Sequence, residues 1–208
     1  MFSRLGFVLL LILPAILIQF ASYTSVVLNL SNFIQNYLIL YLLVLLLVKL
    51  SSIVYPPLPG IAFTIASIPL VGWPLAYLID LTGSTLGSSI AFILGKKYGQ
   101  SILSRVVGQG ITEKIMNTKL KQGTQVEASI VLSFASVGLS DGLAWGGSLI
   151  GFKFWPFALG RIMSHLLTTL PIFFLIAVST SFNSWLIVAF ATVLAWLMIF
   201  KFKGRYFE

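Results

Sequence analysis

Residues 5–48 carry no charged side chain. A run of forty-four such residues leaves a chain few places to go. A hydrocarbon core of ~30 Å takes about 20 apolar residues as helix, so the run is long enough to cross one twice. The polar group Ser22, Asn29, Ser31, Asn32 and Asn36 divides it. The first helix is expected at about residues 5–21, kinked by Pro14, and the second at about 33–54, including the unbroken apolar run 37–48. Arg4 in front of an apolar core resembles a secretory signal, but no clear small-x-small cleavage site follows, and the segment reads as retained. Lys49, near the end of the second helix, reads as snorkelling to an interface.

The same constraint holds for the whole chain. With 58% hydrophobic and 9% charged residues and a mean hydropathy of +1.02, 208 residues cannot hide their apolar surface in a soluble core. The expected class is an all-α polytopic membrane protein. There is no cysteine, so disulfides, thiolate metal sites and cysteine nucleophiles are excluded. A net charge of +8 raises the question of nucleic acid. The thirteen basic residues, however, sit at the ends and connections of apolar segments, which suits bilayer orientation and not a nucleic-acid surface.

Residues 56–99 are apolar yet heavily punctuated. Pro56, Pro57 and Pro59 call for an irregular turn, with a short helix starting near Gly60; Pro69, Gly72 and Pro74 should then end it. Residues 75–94 read as a full span, with Gly83 and Gly87 allowing close approach of another helix and Lys96 and Lys97 ending it. Residues 96–127 form a basic cytoplasmic loop with room for short interfacial helices around 101–107 and 112–120. In residues 128–151, Gly138, Ser140, Asp141 and Gly142 interrupt an otherwise spanning length, so a second re-entrant hairpin is expected. Residues 157–178 make a span with Arg161 and His165, and residues 185–200 a last one before the basic tail.

Sliding the sequence by 82 residues superposes Gly60 on Gly142, Ala62 on Ala144, Ile68 on Ile150, Trp73 on Trp155, Pro74 on Pro156 and Ala76 on Ala158. With one span between them, the hairpins should enter from opposite faces as an inverted repeat. The expected architecture is thus about five transmembrane helices plus two opposed re-entrant hairpins. Residues 1–54 hold two helices, 55–178 the core and 179–208 the last helix and tail.

PPLPG, the Gly72 turn and GSTLGSSIAFILGKKYG resemble the VTT-domain superfamily, which includes the DedA and SNARE-associated Golgi proteins. The resemblance covers roughly residues 49–178. Acidic residues usual around PPLPG would fall at Ser52 and Ile61, and an arginine usual early in the second hairpin at about Ser133, so the match is nearer the SNARE-associated Golgi branch. It implies two opposed re-entrant hairpins and movement of a phosphate-bearing lipid between leaflets, in a prokaryotic plasma membrane.

Asp80, Asp141, Arg161 and His165 are the ionisable groups expected inside the membrane, where an uncompensated charge costs at least ~2.5 kcal/mol. Arg161 and His165, four apart, share a helical face. Arg161 suits a lipid phosphate, with Asp80 or Asp141 as the partner that releases it or carries a proton. The plainer reading is a structural Asp141–Arg161 pair. Pro59, Gly60 and Gly142 complete the expected substrate site, as starts of half-helices whose positive ends suit an anion. A bulky residue at Gly60 or Gly142 should then obstruct one shared site, while one at Gly99, beyond the span, should cost little. The expected partners are membrane lipids, and the small-residue surfaces also suit a homo-oligomer. A single histidine, no metal-ligand pair, no nucleophile elbow and no phosphate loop argue against an enzyme, a metal or a cofactor. A non-transporting scaffold and a small-ion or proton-coupled transporter are the alternatives.

Overall fold

The computed structural model describes residues 33–55, 60–118, 120, 125–135 and 140–178. The helices expected at 5–21 and 185–200, and Pro59, lie outside the described residues. Those described residues are helical with no strand: α1 Leu38–Val54, α2 Gly60–Ala66, α3 Ile68–Val71, α4 Trp73–Val107, α5 Gln109–Asn117, α6 Gln125–Ala135, α7 Ser140–Ile150 and α8 Phe154–Val178. Two helices, α4 and α8, are long and apolar enough to cross a membrane.

Their order and direction follow from close contacts. A Cβ placed on Gly83 would lie 2.9 Å from Lys49 Cβ, and one on Gly87 would lie 3.0 Å from Ile53 Cβ. Four residues along α4 thus match four along α1, and the two helices run side by side in the same direction. The chain then turns back, because Gly60 packs on Ser52 near the end of α1 while Ser67 bonds Tyr41 near its start, Oγ to Oη at 2.6 Å. So α1 and α2–α3 form one antiparallel pair beside α4.

The second half repeats the plan. Lys153 N donates to Gln125 Oε1 at 3.0 Å, and Ser129 Oγ donates to Phe157 O at 3.0 Å, so α6 runs alongside α8 in the same direction. The interruption expected within 128–151 falls between α6 and α7. Helix α7 packs mainly along α4, where a Cβ on Gly95 would lie 2.9 Å from Trp145 O and one on Gly99 3.2 Å from Leu149, and its Gly147 faces the Phe157 ring. The long helices are antiparallel: Trp73 and Tyr77 meet Phe174 and Phe173 at one end, and Phe92 meets Phe154 and Phe157 at the other.

Both hairpins hand over to a long helix in the same way. Gly72 (φ 81°) and Gly151 (φ 97°) take the left-handed conformation that glycine adopts freely. Pro74 and Pro156 follow in the first turn of α4 and α8, where a missing N–H has no intrahelical partner to lose. Pro69 likewise starts α3 instead of ending α2.

Two boundaries differ from expectation. Helix α4 does not stop at Lys96 and Lys97 but continues to Val107, where Gly108 (φ 85°) ends it. Lysine is a good helix former, the Lys96 ammonium sits 5.6 Å from the centre of the Phe92 ring, and Leu103 is buried in the main core. Gly99 does not stand clear of the fold either: a Cβ there would meet Leu149 of α7 at 3.2 Å. A leucine at Gly99 would therefore collide with α7.

Candidate functional site

Helices α1, α2, α4 and α8 each bring one polar side chain to the same buried point. Asp80 is fully buried on α4, about 10 Å along the helix from Trp73. Its Oδ1 lies 2.8 Å from Lys49 Nζ and accepts a 2.7 Å hydrogen bond from Thr64 Oγ1. Its Oδ2 lies 3.6 Å from His165 Nδ1, beyond hydrogen-bond length, and neither atom has a hydrogen-bond partner among the described residues.

Lys49 is 3% exposed, which corrects the snorkelling expected from the sequence. The cause is steric as well as electrostatic. Gly60 on α2 and Gly83 on α4 leave room for its stem, since a Cβ on Gly83 would lie 2.7 Å from Lys49 Cγ and one on Gly60 would lie 3.3 Å from Lys49 Cδ. The ammonium is thereby led to Asp80 and away from the helix end. Ser52, one turn on, donates to Lys49 O at 2.7 Å, so its hydroxyl is satisfied within α1.

Thr64 has one hydroxyl proton and three acceptors in reach: Asp80 Oδ1, Ile61 O at 3.0 Å and Gly60 O at 3.5 Å. The carboxylate is both nearest and charged, so it takes the proton in the strongest of the three bonds. Burying a carboxylate and an ammonium costs several kcal/mol per ion unless each is well partnered, and here the pair is direct and the hydroxyl adds a second donor.

Of the residues expected from the sequence, Asp80 and His165 meet here. Arg161 is 4% exposed on α8, one turn before His165 on the same face. Gly60 starts α2 as expected, but the space its missing Cβ leaves is filled by the Ser52 side chain and not by a cavity. Asp141 and Gly142 lie in the first turn of α7, with their side-chain surroundings outside the described residues, as is any Asp141–Arg161 pair. Lys49 and Thr64 are the members that the sequence reading missed. A signal for Lys49 was present: the two acids in apolar sequence, Asp80 and Asp141, are matched by two cations only when Lys49 is counted with Arg161.

The chain matches no protein-family model, no curated protein and no solved structure.

Proposed function

We propose that this chain is an integral membrane transporter that moves a phosphate-bearing lipid between leaflets, with Asp80 as its central switch. The observation that carries this reading is the fully buried carboxylate of Asp80, tied to α1 by Lys49, to α2 by Thr64 and facing His165 of α8. A structural core gains little from such an arrangement, because replacing buried ions with apolar side chains of similar size is often neutral or stabilising. Ionisable groups at such depth in a membrane chain mark transport pathways by default.

In this reading the α1/α2–α3 pair and the α6/α7 pair dip into the bilayer from opposite faces, and α4 and α8 cross it in opposite directions. Arg161 is the cation for the lipid phosphate, with its planar fork of donors suited to that shape. Asp80, loosened from Lys49, would change partners as the hairpins move. The lipid as cargo is supported by the broken-helix motifs and by the resemblance to the VTT-domain superfamily. The basic character of segment 96–127 and of the tail supports a cytoplasmic side for both, and the membrane in this reading is a prokaryotic plasma membrane. Homo-oligomers would form through the apolar outer faces.

A second reading has one observation in its favour. Asp80 Oδ2 and His165 Nδ1 face each other 3.6 Å apart with no other hydrogen-bond partner among the described residues, so a small approach would let a proton pass between them, as in a proton-coupled transporter of a small ion.

The test is reconstitution. Vesicles holding the purified protein and a headgroup-labelled phospholipid should lose outer-leaflet label and then inner-leaflet label to a membrane-impermeant quencher. Asp80→Asn vesicles should protect about half the label, as protein-free ones do. Protection of half the label by the wild-type protein would end the lipid reading, and acidification of the vesicle lumen driven by an ion gradient would favour the second.

A further inference from the structure

Seen from Asp80, the ammonium of Lys49 does what a free monovalent cation would do. It sits 2.8 Å from Oδ1, and the Thr64 hydroxyl sits 2.7 Å from the same oxygen. Oδ2 receives no hydrogen bond among the described residues and so keeps its capacity to hold a cation. One carboxylate balances one positive charge, and the charge present is delivered on a stem.

That stem has a purpose-built path. Two glycines from different helices flank it, Gly60 on α2 and Gly83 on α4, and any Cβ on Gly83 would overlap Lys49 Cγ and Cβ at 2.7 and 2.9 Å. A lysine held for its aliphatic chain alone would not need its nitrogen buried against a carboxylate, because ammonium groups reach water wherever the stem allows.

We infer that Asp80, Thr64 and their surroundings form a site for a small monovalent cation, which this chain fills with its own side chain: Lys49 is a tethered cation. The ligand class of the vacated site is a primary alkylammonium or a bare alkali ion. The natural protein accordingly needs no sodium or potassium to complete the site. This inference stands on the geometry of the cluster and does not depend on what the protein transports.

Two variants open the site to different extents. Lys49→Ala removes the stem and leaves a channel of its width between Gly60 and Gly83, fitting propylammonium. Lys49→Met keeps the stem and vacates only the ammonium position, fitting sodium or lithium. Thermal unfolding of the purified full chain is followed by tryptophan fluorescence in chloride salts of equal ionic strength, with choline as the cation too large to enter.

A ligand that binds only the folded state raises the midpoint, so propylammonium should lift that of Lys49→Ala by about 5 °C over choline. Sodium should do the same for Lys49→Met. The wild-type protein and the double variants carrying Asp80→Asn should respond to no cation more than to choline. Equal midpoints in propylammonium and choline for folded Lys49→Ala would overturn the inference, as would a response that survives Asp80→Asn. If Lys49→Ala yields no folded protein, Lys49→Met decides, and equal midpoints in sodium and choline would be fatal. A cation response in a protein that moves no lipid would keep this site and discard the transport reading.

Discussion

The two halves of the molecule use one packing device and fill it differently. In each, a short helix runs alongside a long one in the same direction, and glycine on the long helix lets them touch: Gly83 and Gly87 of α4 admit α1, and Gly160 of α8 admits α6. In the first half the filler at Gly83 is the Lys49 stem, and an ion pair with Asp80 lies beyond it. In the second half the filler at Gly160 is Ser129, whose neutral hydroxyl donates to Phe157 O. The glycine contact sets how near the helices come; at Gly83 it leads on to an ion pair and at Gly160 to a neutral hydrogen bond. The chemistry beside these two glycine contacts therefore differs although the packing is alike.

The sharpest test of that contrast is the loss of one partner of the ion pair. Asp80→Asn strands the Lys49 ammonium in a dry interior and should lower stability by about 3–5 kcal/mol, whereas adding Lys49→Met to it should recover most of the loss. Equilibrium unfolding in detergent measures both. If the double variant is no better than the single, the pair is not what the carboxylate supports.

Thr64→Val comes next. It keeps the shape of the side chain but removes a hydrogen bond to a charged group, so about 1.5–3 kcal/mol should go by the same measurement. A loss no larger than that of a neutral bond would show that the hydroxyl prefers Ile61 O to Asp80.

Gly160→Ala tests the packing device in the second half. Its Cβ would meet Val126 O at 2.8 Å, and backbone cannot swing aside as a side-chain tip can, so a loss of about 1–3 kcal/mol is expected. Gly110→Ala is the matched control, since nothing lies within 4 Å of a Cβ there.

The smallest effect belongs to Ser129→Ala. Phe157 O is a main-chain carbonyl in the first turn of α8, and loss of one neutral hydrogen bond to it should cost about 1 kcal/mol. Should Ser129→Ala prove as harmful as Asp80→Asn, the distinction between an ion-paired and a neutral glycine contact would collapse.

Much of this was legible in the sequence. Glycine and proline marked both handovers, because Gly72 and Gly151 need a positive φ and Pro74 and Pro156 suit a first turn. Hydropathy located α4 and α8, and four-residue spacing put Arg161 and His165 on one face. The end of α4 was not legible, because charge does not break a helix: Lys96 and Lys97 sit in continuous helix that Gly108 closes. Nor was the role of Lys49. A lysine after an apolar run is compatible with an interface or a buried partner, and what decides lies elsewhere in the chain, at Gly60, Gly83 and Asp80. The direction of α1 was hidden for the same reason, being fixed by which residues it meets and not by its own composition.

The unbroken length of α4 makes it a lever. Asp80 sits near one end and Val107 ends the other, 27 residues on, or about 40 Å at the helical rise. With no proline after Pro74 to bend it, a rocking of about 5° at the buried pair would swing the far tip by about 3.5 Å. Helix α5 is joined there through Gly108, so on the transport reading proposed above a small rotation at Asp80 would be felt at the far end of the fold.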